Sequence, residues 1–466
     1  VSFDAYAWLA GQSDRVIETS CAWVFLQKDR ALKVKKPVDF GFLDFTTLEK
    51  RRWALERELT FNRSTAPEIY RRLVDLVDAQ GQVAEYALEM RRFDPDDVLS
   101  EHPERLDDAT AERLGRSLAR FHAAAEVRPK GGGTWALGYS IASNAEHLRA
   151  LEDRLPAAEV EPLIGGVDAA SAKLAPLLET RRREGYARRC HGDLHLGNIL
   201  LENGAPTFFD CIEFNDRLSE IDVLYDAAFL IMDLWRHDRR SAASRALNGY
   251  LDEAARAFAP SLWDGLAALP LMLSVRAGVR AVVLASEGKD EAAAYLAAAR
   301  GHLAPACATL TAIGGLSGSG KTTLARRLAP NLGAAPGAVV LRSDEIRKRL
   351  HGAAPLERLP KEAYAPQVST QVYGEMFDLA RRALAAGRAV ILDAVFLKPS
   401  ERQAAQAIAE SLGLAFEGVW LEADPERLRQ RLAARSDDAS DADVRVLEDQ
   451  LKRNAGSIDW RRLDSD

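Results

Sequence analysis

Short apolar runs set the pattern of the first ninety residues. Residues 21–36, CAWVFLQKDRALKVKK, hold two apolar or alternating runs on either side of Lys28-Asp29-Arg30, which predicts a β-hairpin. Apolar and charged residues at helical spacing follow from 46 to 63, and after Gly81-Gln82 the run VAEYALEM predicts a strand whose far end is Met90. The result is a small strand-rich lobe with one helix. Helical patterning then covers 108–127 and 144–183, with Gly131-Gly132-Gly133 between. The stretch RRCHGDLHLGNILLENGAPTFFDCIEF places two short strands around Asn203-Gly204, a strong hairpin signal, and Ala-rich helices fill roughly 219–300.

After residue 308 the pattern becomes strand, turn, helix, repeated: TLTAIGG, KTTLARRLA, AVVLRSD, EIRKRL, and later RAVILD and EGVWLEA. Short apolar runs alternating with helices predict a parallel sheet covered on both faces. The expected division is a first domain at 1–304, with a small lobe at about 1–92 and a large lobe at about 93–304, and a second domain at 305–466. A chain of 466 residues is too long for one core, which agrees with two domains.

Composition narrows the class. With 47% hydrophobic and 28% charged residues the chain reads as a soluble globular enzyme. A net charge of -7 gives no global basic field, so nonspecific nucleic-acid binding is not favoured, although a local basic channel stays open as a reading. Cys21, Cys190, Cys211 and Cys307 are scattered singly, without the paired spacing of a zinc site or redox dithiol, as in a cytoplasmic protein. No uninterrupted apolar run reaches bilayer length, and the first residues lack a basic start followed by an apolar stretch, so a cytoplasmic location is expected.

The sharpest chemistry lies at Gly315-Leu316-Ser317-Gly318-Ser319-Gly320-Lys321-Thr322, which closes an apolar strand and opens a helix. In that context Gly-x-x-x-x-Gly-Lys-Thr is a P-loop, or Walker A, motif. Glycines let successive N–H groups face phosphates, Lys321 reaches the β/γ oxygens, and Thr322, with Thr323 beside it, opens the helix and offers a hydroxyl to Mg²⁺. Asp344 and Asp393 end or follow strands of the same sheet, on the side where open α/β sheets bind ligands. Asp344 reads as a general base, with Arg347 one turn later for an anionic substrate group; the competing reading is a helix cap. Asp393 reads as a carboxylate for Mg²⁺-bound water or substrate, against a plain polar strand end. Arg427, Arg431 and Arg435 share one helical face ahead of an Asp/Ser-rich loop, which suits a lid closing on phosphates or, more blandly, a solvated basic face. The last 160 or so residues resemble the small P-loop kinases, including polynucleotide 5′-kinase, gluconate kinase, chloramphenicol phosphotransferase and the zeta-toxin group. That resemblance implies a phosphoryl acceptor. Asp344-Glu345-Ile346-Arg347 matches the Asp-x-x-Arg that supplies base and acceptor-site arginine in polynucleotide kinase, and either Arg431 or Arg435 would be the lid arginine.

In the first 300 residues the most specific string is His191-Gly192-Asp193-Leu194-His195-Leu196-Gly197-Asn198-Ile199-Leu200. An Asp and an Asn five apart, on a loop ahead of a strand, place a carboxylate by an acceptor hydroxyl and an amide oxygen by a metal. Asp210 follows at the end of the run PTFFD, where it can hold Mg²⁺. A zinc site at His191 and His195 lacks a third ligand of suitable spacing. The string resembles the aminoglycoside phosphotransferase family, relatives of protein kinases that include choline, homoserine and fructosamine kinases. The resemblance implies a bilobal kinase-like fold with Asp193 as base, Asn198 and Asp210 as metal ligands and His191 as a support for the loop. Lys33 stands where the family's phosphate-pairing lysine lies, with Glu58 as its partner and Lys35 as a rival on the same strand face. ATP would be held by the hinge after Glu89-Met90 and by the metal. No Gly-x-Gly-x-x-Gly loop precedes Lys33. Asp222 and Asp226 match positions that brace the catalytic region.

The combined expectation is a bifunctional, ATP- and Mg²⁺-dependent phosphotransferase acting on small-molecule hydroxyls. Two alternatives compete: a polynucleotide 5′-hydroxyl or nucleotide-sugar kinase, and a pair in which one domain senses nucleotide to regulate the other. The sequence names neither acceptor nor an oligomeric state.

Overall fold

A computed structural model of the protein describes residues 4–41, 43–434 and 439–465. The chain opens with α1 (Ala5–Ala10), β1 (Arg15–Glu18), β2 (Ala22–Gln27), β3 (Arg30–Lys35), α2 (Leu48–Asn62), β4 (Tyr70–Val77) and β5 (Val83–Arg91). Three helices follow, α3 (Asp108–Ala124), α4 (Gly133–Ala150) and α5 (Ala157–Arg183). Next come β6 (Ala187–Arg189), β7 (Ile199–Glu202), β8 (Ala205–Phe208), α6 (Asp216–Ser219), β9 (Glu220–Asp222), α7 (Val223–Arg236), α8 (Arg240–Ala254), α9 (Leu269–Ser286) and α10 (Glu291–His302). The remainder alternates: β10 (Thr309–Gly315), α11 (Lys321–Leu328), β11 (Val339–Arg342), α12 (Ser343–Leu350), α13 (Pro366–Ala385), β12 (Val390–Asp393), α14 (Pro399–Ser411), β13 (Ala415–Glu422), α15 (Pro425–Ala433), α16 (Val444–Leu451) and β14 (Arg461–Asp464).

Contacts group the chain into two units. One comprises residues 1–106, 124–146 and 178–233; the other comprises 107–123, 147–177 and 234–466. The helices of the middle of the chain thus divide between the units, and those after residue 233 pack as one body with the parallel sheet.

In the first unit an antiparallel sheet runs in the order β1-β2-β3-β5-β4. The β2–β3 turn works because Lys28 adopts φ 41°, setting Phe25 opposite Leu32 and Val24 opposite Lys33. One face of the sheet buries Leu26, Ala31, Leu88 and Met90 against Leu55 of α2. Thr47 caps α2 by accepting the Lys50 N–H. The Asn203-Gly204 turn has φ 51° and 75°, the paired positive values that let two residues join β7 to β8.

In the second unit β10 is the centre of an all-parallel sheet ordered β11-β12-β10-β13-β14. Ile313, Ala338, Ile391 and Val419 form its core with Ala325 of α11. The edge strand β11 is capped by a side chain from α8: Asn248 Oδ1 accepts the Val340 N–H at 2.7 Å and Nδ2 donates to Ala338 O at 3.2 Å. α8 lies close on α3, where a Cβ on Gly115 would stand 2.0 Å from Ala246 O. Residues 260–286 are, among the described residues, the one span long and apolar enough to cross a bilayer; 67% of its window is buried within the protein, as a core helix would be.

Asn248→Ala leaves the Val340 N–H at the sheet edge without its acceptor. Loss of that bond is expected to cost about 1–3 kcal/mol and to speed amide hydrogen exchange at Val340, measured by denaturant unfolding and exchange mass spectrometry.

Candidate functional site

The first unit assembles a chain of charges along its sheet. Lys33 Nζ donates to Glu58 Oε1 and to Asp210 Oδ1, both at 2.7 Å. Lys35 Nζ meets the other oxygen of Glu58 and Glu213 Oε1, also at 2.7 Å each. The two lysines therefore differ: Lys33 reaches Asp210, while Lys35 is sealed with Glu213 behind it. Burial disfavours the Lys33 ammonium, but Asp210 and Glu58 outweigh it and hold its pKa well above the ordinary lysine range. Desolvation likewise opposes the Asp210 carboxylate, and Lys33 more than offsets it, leaving the group below its usual value. Asp210 adopts φ 63°, and its N–H donates to Tyr70 Oη at 3.0 Å. Met90 sits inside the apolar cluster of the sheet, directly opposite Ala31 of β3.

The loop 191–198 is held from beneath by acids at the start of and along α7. Asp226 accepts the N–H groups of His191 at 3.1 Å and Gly192 at 2.8 Å, and Asp233 accepts that of Leu196 at 2.9 Å. Asp222 pairs with Arg181 at 2.7 and 2.9 Å. Asp226 thus holds the loop itself, whereas Asp222 is tied to α5. Asn198 Nδ2 donates to Asp193 O at 2.8 Å and to Asp193 Oδ2 at 3.2 Å, so its oxygen is the atom left for a cation. His191 Nε2 donates to Phe209 O at 2.8 Å while Nδ1 accepts the Asp193 N–H at 3.3 Å, which requires one neutral tautomer. His195 Nδ1 accepts from Gly197 N, and its Nε2 stands 3.5 Å from Asp193 Oδ2.

The second unit presents the phosphate loop between β10 and α11. Gly318 has φ 85°, and a Cβ there would press on Leu428 O at 3.0 Å, so both backbone and space demand glycine. Thr322 Oγ1 donates to Asp393 Oδ2 at 2.6 Å, bringing a hydroxyl and a carboxylate together where a divalent cation could share them. Ser319 Oγ is buried with no hydrogen-bond partner among the described residues, and Lys321 Nζ donates to Leu316 O at 2.9 Å. Thr323 is exposed on the first turn of α11. Asp344 is the second residue of α12, not its cap. Burial pushes its carboxyl above the ordinary range against the pull of Arg342, and it hydrogen-bonds Ser440. Arg347 donates to Ala363 O at 2.7 Å and stacks on Tyr364 at 4.8 Å. Arg431 is committed to the end of β14, through Ser465 Oγ at 3.1 Å and Ser465 O at 2.7 Å. Arg435 lies outside the described residues.

Several residues of these sites escape a reading of the sequence. Glu213, Tyr70 and Gln450 contact Lys35, Asp210 and Ser317, and the sequence reading singled out none of the three. Only Asp233 leaves a trace: it lies seven residues, two helical turns, beyond Asp226 on α7.

Residues 54–269 match the model of the phosphotransferase enzyme family, and residues 310–455 match that of an AAA domain. Uncharacterized protein Rv2004c of Mycobacterium tuberculosis (strain H37Rv) is 32% identical over 467 residues, covering 97% of this chain and 92% of that protein. The chain belongs to this two-domain kinase family. Uncharacterized protein Mb2027c of Mycobacterium bovis matches equally. Among solved structures, a choline/ethanolamine kinase family protein from Mesorhizobium loti is 16% identical, with 64% of this chain and 89% of that chain covered and a TM-score of 0.39. The Mycobacterium tuberculosis APS kinase CysC is 22% identical, with 28% and 69% covered and a TM-score of 0.22. The protein is a phosphotransferase enzyme that joins a kinase-like domain to a P-loop kinase-type domain.

The buried imidazole of this kinase-like domain predicts a pH dependence. Desolvation holds the His191 pKa below its ordinary 6.5, against the opposing pull of Asp226, Asp193 and Asp210. A depressed folded-state value means the contribution to stability is complete above about 6.5 and is lost as pH falls through the folded value. Thermal melts from pH 8 to 5 should therefore fall more steeply for wild type than for His191→Phe, which cannot titrate.

Proposed function

We propose that the protein is an ATP- and Mg²⁺-dependent phosphotransferase with two kinase-type sites, each transferring a phosphoryl group to the hydroxyl of a small cytoplasmic molecule. The observation that carries this reading is that both units set a carboxylate base beside an anchor for metal and phosphate. In the first, Asp193 touches Asn198, and Asp210 is held by Lys33. In the second, Thr322 meets Asp393, and Asp344 follows the strand that pairs Arg342 with Asp393.

The donor atoms suit Mg²⁺: Asn198 oxygen with Asp210 in one site, Thr322 hydroxyl with Asp393 in the other. When bound, the ion would neutralise charge that develops on the transferred group. The chain's own residues do the rest. Asp193 and Asp344 take the proton of the attacking hydroxyl, and the burial that raises the Asp344 pKa makes it a stronger base than an exposed carboxylate. Lys33 fixes the donor phosphates in the first site. Backbone N–H groups of the loop that are not already bonded within the protein, together with Lys321, do so in the second. Arg347 lies one turn from Asp344 and suits an acceptor with an anionic group.

Substrate-dependent ADP release across a metabolite panel tests the reading. Asp193→Ala should lower one set of activities by roughly 10²–10⁴-fold and Lys321→Ala a different set. If neither substitution slows any substrate-dependent rate, the two-site reading fails.

A further inference from the structure

The phosphate loop is touched by a side chain that no motif includes. Gln450, the seventh residue of α16, accepts the Ser317 N–H through Oε1 at 2.9 Å and donates to Ser317 Oγ through Nε2 at 3.0 Å. Both ends of one carboxamide thus address the third residue of the loop.

The helix that carries Gln450 is fixed at both ends. Leu447 is buried against Leu428 and Leu432 of α15, with Leu316 of the loop packed beside them. Asp443 caps the helix by accepting the Val446 N–H at 3.1 Å. Just ahead of the cap, Asp441 accepts from Lys348 Nζ at 2.9 Å, Leu359 N at 2.9 Å and Tyr364 Oη at 2.8 Å. Ser440 bonds to Asp344. Segment 440–451 therefore starts on the helix of the base and ends on the phosphate loop.

Position along the loop decides what Gln450 can meet. The amides at the end of the loop and the first helical turn face the inner phosphates, and the lysine reaches the outer two. Ser317 is on the strand side of the loop, away from α11, and on the ATP-site reading it would stand by the outer phosphate. That is the end an acceptor attacks. A carboxamide nitrogen carries two hydrogens, and Ser317 Oγ takes one of them.

We propose that Gln450 is a positioning residue for the terminal phosphate: Oε1 holds the Ser317 corner of the loop, and the second Nε2 hydrogen is presented to a γ-phosphoryl oxygen. The proposal rests on the reading of 315–322 as an ATP site. Its chemistry is that of a neutral donor, which adds direction without adding charge. Because segment 440–451 also contacts Asp344, the same strap relates the phosphate to the base.

Calorimetric titration of full-length protein with Mg·ADP and Mg·AMP-PNP tests this, the binding component lost in Lys321→Ala being assigned to the phosphate loop. For that component, Gln450→Ala should weaken AMP-PNP by about 10- to 100-fold, the worth of a hydrogen bond to a charged group, and leave ADP within about twofold. Gln450→Glu keeps the length and an acceptor for Ser317 N–H but faces the phosphate with negative charge. It should weaken AMP-PNP more than Gln450→Ala does while melting nearer to wild type. Equal weakening of both nucleotides, or a stable Gln450→Glu variant with an unchanged AMP-PNP to ADP ratio, overturns the proposal. Identical titrations of wild type and Lys321→Ala are a separate pattern: there the ATP-site reading itself fails, and the proposal falls with it.

Discussion

A carboxylate sealed from water, Glu58, organises the amino-terminal site. Its two oxygens each lie 2.7 Å from a different lysine, and its side chain has no exposed surface. A lone charge so placed would cost several kcal/mol; between two ammonium groups it becomes a fixed bridge. The contacts run Asp210, Lys33, Glu58, Lys35, Glu213, two positive groups against three negative ones. The two ends of the chain differ in access. The Glu213 side chain is 4% exposed, whereas that of Asp210 is 44% exposed. The excess negative charge therefore gathers at the open end, where a divalent cation can approach, and Lys33 is locked beside it with its charge assured. The same contacts tie β3, α2 and the segment after β8 together, so the site and the lobe share one set of interactions.

The two sites solve one electrostatic problem by different means. In the first unit, fixed side chains supply positive charge, and the loop bearing Asp193 is held by acids, Asp226 and Asp233, through its backbone N–H groups. Asp226 is fully buried, so its charge is spent on those amides. In the second unit the backbone itself supplies the donors, and the loop must curl through left-handed glycines to aim them. An acid bracing that loop from the phosphate side would repel the ligand it serves. The side chain that holds this loop is a neutral carboxamide, Gln450, together with apolar packing of Leu316 on the α15–α16 pair.

What could be read in the sequence was what is local. The β2–β3 hairpin, α2, β5, the Asn203-Gly204 turn and the strand-loop-helix at 309–328 are written in residues a few positions apart, and each forms where its pattern predicts. The Lys33–Glu58 pair was expected from the family resemblance, whereas Thr322 and Asp393 were each read as Mg²⁺ ligands without a contact between them being expected. Short strands β1 and β14 were not legible, since four residues at a sheet edge, partly or fully exposed, carry little apolar alternation. Nor was the tie of Arg431 to Ser465, because a basic helical stripe looks the same whether it faces solvent, phosphate or a neighbouring strand.

Packing in the middle of the chain illustrates the same limit. A change from helical to alternating pattern marks where one kind of local structure gives way to another, but it does not say what packs on what. In the second unit Arg116 of α3 reaches Glu345 at 2.7 Å, Glu112 at 3.1 Å and Asp252 at 3.5 Å. Glu345 is the residue after Asp344, so α12 is fastened by a guanidinium that lies 229 positions earlier in the chain. Glu112 also takes Arg245 of α8 and Arg326 of α11, the helix that follows the phosphate loop. Crowding of these acids has a consequence: burial, with Glu345 nearby, pushes the Asp252 carboxyl up to about 7 despite Arg116. Charges so far apart in sequence and so densely shared in space cannot be paired by inspection of either segment. The helices of the middle of the chain therefore do more than complete the kinase-like domain, since they carry the counter-charges that hold α11 and α12 in one frame.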